Sequence, residues 1–283
     1  MKISAHWIGC VGVLAFVLPT TPHEREEAGN QVKTLRTPSG VRFGILGEKG
    51  SSPLGTLFVF ASRLEHSLGN DDYIRVGRIL AKQGYLCVSL DLPCHGEDAK
   101  PGEPGGLSGW RARLEQGDDV VPAFVAKAMA VLDYLIQEGY TDPQKVTACG
   151  TSRGGFIALH FAAADPRVQC VAAFAPVTDL LKLSEFTGME NHAATKSLAL
   201  ANRAEQLAGR AVWICIGNND QRVSTDSCIA FTRRVVEAST AQGKPANVDL
   251  HVMTSVGHRI HGTAHEEAAA WILATVKSGK AEK

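Results

Sequence analysis

The sequence predicts an α/β protein, a doubly wound and mostly parallel central β-sheet with helices on both faces. Two observations lead there. Nearly all-apolar runs of strand length recur along the chain, and segments whose apolar residues follow helical spacing lie between them. Strands that are apolar on both sides need cover on both faces, which helical crossovers between parallel strands supply.

A polar lead-in gives way to short β-rich runs at 32–35, 41–46 and 57–60. Residues 71–83 place Ile74, Val76, Ile79 and Leu80 at helical spacing and stop at Gly84. The next strand, 85–90, ends in Asp91-Leu92-Pro93. A long amphipathic helix over 119–138 is closed by Gly139, and strand 146–149 runs at once into Gly150 and a helical stretch over 156–164. Strands 168–174 and 211–216, helix 225–241, strand 248–253 and helix 264–276 complete the pattern. Two excursions interrupt it, 97–117 with Trp110 inside and 179–209 with a partly helical pattern, and each suits a pocket wall or a surface connection. Ligands of such sheets bind beyond the carboxyl ends of the strands, so the residues just after each strand are where chemistry is expected.

Composition narrows the functions. The 283 residues are 45% hydrophobic and 20% charged, enough for one large domain with a substantial core. Lysine plus arginine equal aspartate plus glutamate at 29 each, so the chain lacks the basic footprint of a nucleic-acid binder. Residues 1–21 read as a secretory signal peptide: Lys2 precedes an apolar run over 8–18 that Pro19 ends. The run is shorter than the roughly 20 residues a bilayer span requires, so a secreted or periplasmic protein without a stable membrane span is expected. Residues 22–39 form a lead-in and 40–283 the folded domain, with the excursion at 179–209. Cys10 falls in the signal, whereas Cys87, Cys149, Cys170 and Cys215 sit in separate apolar strands and are expected as free, buried thiols. No cysteine or histidine spacing suits a metal, and neither metal nor cofactor is expected.

The strongest local signal is Gly150-Thr151-Ser152-Arg153-Gly154-Gly155 between a strand and a helix. A serine hydroxyl acts as a nucleophile when a tight turn lifts it clear of the sheet, and glycines on either side let strand and helix approach. Ser152 then needs a base, and the base needs a carboxylate to hold its tautomer. Asp220 follows strand 211–216 and His258 follows strand 248–253, in the order serine, aspartate, histidine. His261 and His265 lie in or near the last helix and suit surface roles better, while Asp179 and Asp226 are the rivals of Asp220.

These motifs, with Asp91-Leu92-Pro93-Cys94-His95-Gly96, resemble the α/β-hydrolase superfamily, and most of all its dienelactone hydrolase and prolyl oligopeptidase-like serine hydrolases. The resemblance runs from Gly40 to Val276 and implies the α/β-hydrolase fold. It implies Ser152 as nucleophile, His258 as base and Asp220 as its orienting acid, with His95 in a structural turn. It also implies an oxyanion hole from the backbone N–H of Arg153 and of the loop Ala61-Ser62-Arg63, with Ser62 as the first choice for the second donor. Relatives often carry His-Gly in that loop, and this chain does not. The Arg153 side chain departs from the pattern too; it is expected either to bind a substrate carboxylate or to pair with an acidic neighbour. Trp110 is a further candidate substrate contact. The function expected is hydrolysis of a small-molecule ester or related acyl bond through an acyl-enzyme. A peptidase or amidase with the same triad, and a binding protein that has kept the fold without catalysis, stay open as alternatives.

Overall fold

The structure is a computed structural model that describes residues 31–260 and 262–278. The signal peptide expected at 1–21, Cys10 and His261 lie outside the described residues. Eight strands form one sheet in the order β1-β2-β4-β3-β5-β6-β7-β8: β1 Lys33–Arg36, β2 Arg42–Leu46, β3 Leu54–Phe60, β4 Tyr85–Ser89, β5 Thr141–Thr151, β6 Val168–Phe174, β7 Ala211–Asn219 and β8 Val248–Val256. β1, β2 and β4 pair antiparallel, and every pairing from β4 across to β8 is parallel. The mostly parallel sheet expected from the sequence is therefore the sheet observed. It begins at Lys33, inside the lead-in, because β1 has an edge to pair with on β2.

The two faces follow from the two-residue period of a strand. Phe58 and Phe60 of β3 face one helical layer, and Leu57 and Val59 face the other; all four are buried. The first layer holds α4 Val120–Gln137, α5 Arg153–Ala164 and α8 Thr225–Ala241, and the second holds α2 Asp71–Ala81 and α9 Ala264–Ser278. Asn70 starts α2 by accepting the N–H of Asp72 on its side chain, the usual role of an amide at a helix N-cap.

Two helices escape the sequence reading. α1 Leu64–Gly69 follows β3 directly, and α3 Gly106–Glu115 lies within the first excursion. α3 is held by charge: Arg113, 8% exposed, bonds Asp98 at 2.5 Å and Glu103 at 2.6 Å. The second excursion carries only 3₁₀ turns and the short helices α6 Ala193–Ser197 and α7 Ala204–Leu207. Arg111 of α3 joins the two excursions by donating to the carbonyls of Glu185 and Thr187, both at 3.0 Å.

Candidate active site

Ser152 ends the turn between β5 and α5 with φ 57° and ψ −119°, a backbone region that residues other than glycine rarely enter. The strain is held from three sides. The Ser152 N–H donates to Phe174 O at 2.8 Å, and the Ser152 carbonyl accepts from Phe156 N and Val177 N, both at 3.1 Å. The flanking glycines are required by contact: a Cβ on Gly154 would stand 1.8 Å from Phe60 O, and one on Gly150 would stand 2.3 Å from the Gly154 carbonyl. The helix thus seats against β3 and β5 only because those positions carry no side chain.

Asp220 and His258 meet from two neighbouring loops. Asp220, 2% exposed, accepts the N–H groups of Arg222 at 3.0 Å and Val223 at 3.2 Å on Oδ1, and His258 Nδ1 at 2.7 Å on Oδ2. Burial pushes its carboxyl up, but the hydrogen bond from His258, that ring's charge and the two backbone donors outweigh it and hold the carboxyl below its ordinary value. Since a carboxylate only accepts, His258 Nδ1 carries a proton, and in the neutral ring Nε2 is the free base. Thr225 fixes the loop by accepting Asp220 N at 3.0 Å and donating to Gly217 O at 2.6 Å.

Ser152, His258, Arg153, Ala61, Tyr73 and His265 line one cavity of about 510 Å³ at the carboxyl end of the sheet. Ser152 and His258 therefore share a chamber, although no hydrogen bond joins the serine hydroxyl to the ring. Such contacts often close only when substrate is bound. Asp179 is elsewhere, capping a 3₁₀ turn by accepting Leu181 N at 2.9 Å, and Asp226 lies in the first turn of α8. His95 donates Nδ1 to Pro93 O at 2.9 Å in the turn Asp91–Gly96, where a Cβ on Gly96 would lie 2.2 Å from Asp91 Oδ1.

Three expectations are corrected. Ser62 does not offer its N–H to the cavity: it donates to Ser67 Oγ at 3.2 Å, because α1 folds back over the loop, and Ala61 is the residue of that loop that reaches the cavity. Trp110 is 0% exposed, donates Nε1 to Pro93 O at 2.7 Å and packs on Phe156, so it is a core residue and not a substrate contact. His265 is not on the surface; it is 9% exposed and stacks on Phe174 at 4.7 Å. Tyr73, at the start of α2, is a cavity residue that the sequence reading did not single out.

Fold and site together define an α/β-hydrolase of the serine hydrolase class. Residues 124–278 match the model of the prolyl oligopeptidase family, and the chain belongs to that family. Among solved structures it is similar to TT1662 from Thermus thermophilus, at 22% identity over 87% of this chain and 98% of that one, with a TM-score of 0.64. An acetyl xylan esterase from Paenibacillus sp. R4 aligns at 16% identity over 89% and 92% of the two chains, with a TM-score of 0.64. Dipeptidyl peptidase 4 from Porphyromonas gingivalis aligns at 18% identity and a TM-score of 0.63; the match takes in 86% of this chain and 35% of the peptidase. These likenesses speak for the fold.

Proposed function

We propose that this protein hydrolyses carboxylic esters or related acyl bonds through an acyl-enzyme, with Ser152 as nucleophile, His258 as base and Asp220 as the acid that orients it. The observation that carries the reading is the 2.7 Å bond from His258 Nδ1 to buried Asp220, facing the cavity onto which a strained Ser152 opens. Ser152 Oγ attacks the acyl carbon as Nε2 of His258 takes its proton. The tetrahedral oxygen is held by the N–H of Arg153, with Ala61 in the loop after β3 as the second donor. His258 then returns the proton to the leaving group, and water releases the acyl chain by the same steps in reverse roles.

A fluorophosphonate should label Ser152, with the modified peptide found by mass spectrometry. Ser152→Ala should abolish both labelling and ester turnover, a loss on the order of 10⁶ in kcat. Asp220→Asn should cost about 10⁴, because an amide favours the wrong imidazole tautomer. Wild-type turnover in Ser152→Ala would remove the assignment.

A further inference from the structure

Among the described residues, most of the other partly buried arginines have carboxylate or carbonyl partners, while Arg203, on a different cavity, forms no ion pair. Arg42 meets Asp91, Glu65 and Glu97; Arg113 meets Asp98 and Glu103; Arg167 meets Asp165 and Asp133; Arg222 meets Glu185. Arg210 donates to the carbonyls of Ala162, Asp165, Pro166 and Val168. Arg153 is different. It is half-buried on the wall of the Ser152 cavity, its Nε donates to Ala61 O at 3.1 Å, and among the described residues no carboxylate forms an ion pair with its guanidinium. Two acidic groups act on its charge, the Tyr73 phenol first and then the Glu185 carboxylate, and Arg222 already holds Glu185 with two hydrogen bonds at 2.7 and 2.5 Å.

With Nε occupied, the unused donors are those of Nη1 and Nη2, the planar pair that matches the two oxygens of a carboxylate. Gly106 and His95 lie at that end: a Cβ on Gly106 would stand 3.8 Å from Nη1 and 3.7 Å from His95 Nε2, and burial together with the charge of Arg153 lowers the pKa of His95, whose Nδ1 donates to Pro93 O. Arg259 is also among the cavity residues, exposed, and Asp72 is the one carboxylate among them. Burying a cation without a partner is costly, and in a substrate chamber the missing partner can arrive with the ligand.

We propose that the Arg153 guanidinium is a specificity-determining group that binds a carboxylate carried by the substrate. The preferred substrates are then esters with a carboxylate near the scissile bond, because one residue supplies both an oxyanion N–H and the anion-binding fork. This rests on the serine hydrolase reading of the same site.

The test compares a 4-nitrophenyl half-ester of a dicarboxylic acid with the same ester whose free carboxylate is capped as a primary amide. The wild type should favour the charged ester by about 10- to 100-fold in kcat/KM, expressed mainly in KM. Arg153→Met should bring that ratio close to one, and Arg153→Lys should restore part of it. Should Arg153→Met fail to fold, the wild type alone still decides: free glutarate should slow fluorophosphonate labelling of Ser152, and glutaramide should not. A wild-type ratio near one, a ratio that survives in Arg153→Met, or equal protection by acid and amide would overturn the proposal while leaving the hydrolase reading intact. Failure of Ser152 to be labelled at all would strike the hydrolase reading instead, and glutarate binding by calorimetry would still report on the Arg153 site.

Discussion

Single residues in this protein carry charge states that their surroundings dictate, and His160 is the clearest case. It is 4% exposed on α5, edge-on to Phe156 at 4.5 Å, and donates Nε2 to Leu198 O at 3.0 Å, fastening the second excursion to the helix that starts at Ser152. Burial, with the charge of Arg203, pushes its pKa down to about 3, against the opposing pull of that hydrogen bond. The unfolded chain binds this proton near its ordinary value of about 6.5, so between those two pH values the unfolded state holds more protons than the native one. Stability from this group is complete above pH 6.5 and declines as pH falls toward 3, with a slope that approaches about 1.4 kcal/mol per pH unit. His160→Gln keeps a donor for Leu198 O and cannot titrate. Urea unfolding from pH 7 to pH 5 should therefore show a shallower loss in the variant, and identical slopes would show that His160 binds its proton equally well in the native and unfolded states.

Among the elements, α5 is the one on which the site depends, because its first residues approach β3 and β5 backbone to backbone. A methyl group at Gly154 would meet the Phe60 carbonyl at 1.8 Å, and neither strand nor helix can yield without moving Ser152. Gly154→Ala should cost about 3 kcal/mol or more and disturb labelling of Ser152 even where the fold survives. Gly139, which follows α4 with φ 70°, has open space around its Cβ position. Gly139→Ala should thus cost only the backbone strain, about 1 kcal/mol, and leave labelling untouched. Thermal melts of the two variants separate contact from conformation. Equal losses would mean that the close approach of α5 to β3 has been overstated.

Across the whole molecule, the six described cysteines are buried and unpaired, in both layers of the core. Burial pushes the thiols of Cys87, Cys215 and Cys228 up to about 12 and that of Cys94 to about 11, and raises those of Cys149 and Cys170 as well. Thiolate is the reactive form, so the folded protein should resist thiol reagents. In a Cys10→Ser background, Ellman's reagent should find less than one thiol per native chain and six in denaturant, with no effect of reductant on the melting temperature. A count of four in denaturant would reveal a disulfide. Thiols withdrawn into a core in this way are protected in an oxidising compartment, which is where the signal peptide expected at 1–21 would send the chain.

Much of this could be read directly from the chain. Apolar periodicity located the eight strands and the five long helices α2, α4, α5, α8 and α9, with β6 and α8 at their observed bounds, because those signals arise between residues a few positions apart. The turn at Ser152 was legible for the same reason: its glycines are local to the strain they relieve. The Asp220 and His258 positions followed from their place after strands β7 and β8. Other features were decided only in three dimensions. Six residues of α1 are too few for a periodic pattern, yet that helix takes the Ser62 N–H away from the cavity. Trp110 sits in a polar stretch of sequence, and its burial depends on Pro93 and Phe156, which come from other elements. Arg153 left two fates open, a substrate carboxylate or an acidic neighbour. Which residues neutralise a charge is set by contacts between distant segments, and here the packing assigned Glu185 to Arg222 and left the Arg153 guanidinium on the cavity wall with no ion-pair partner among the described residues.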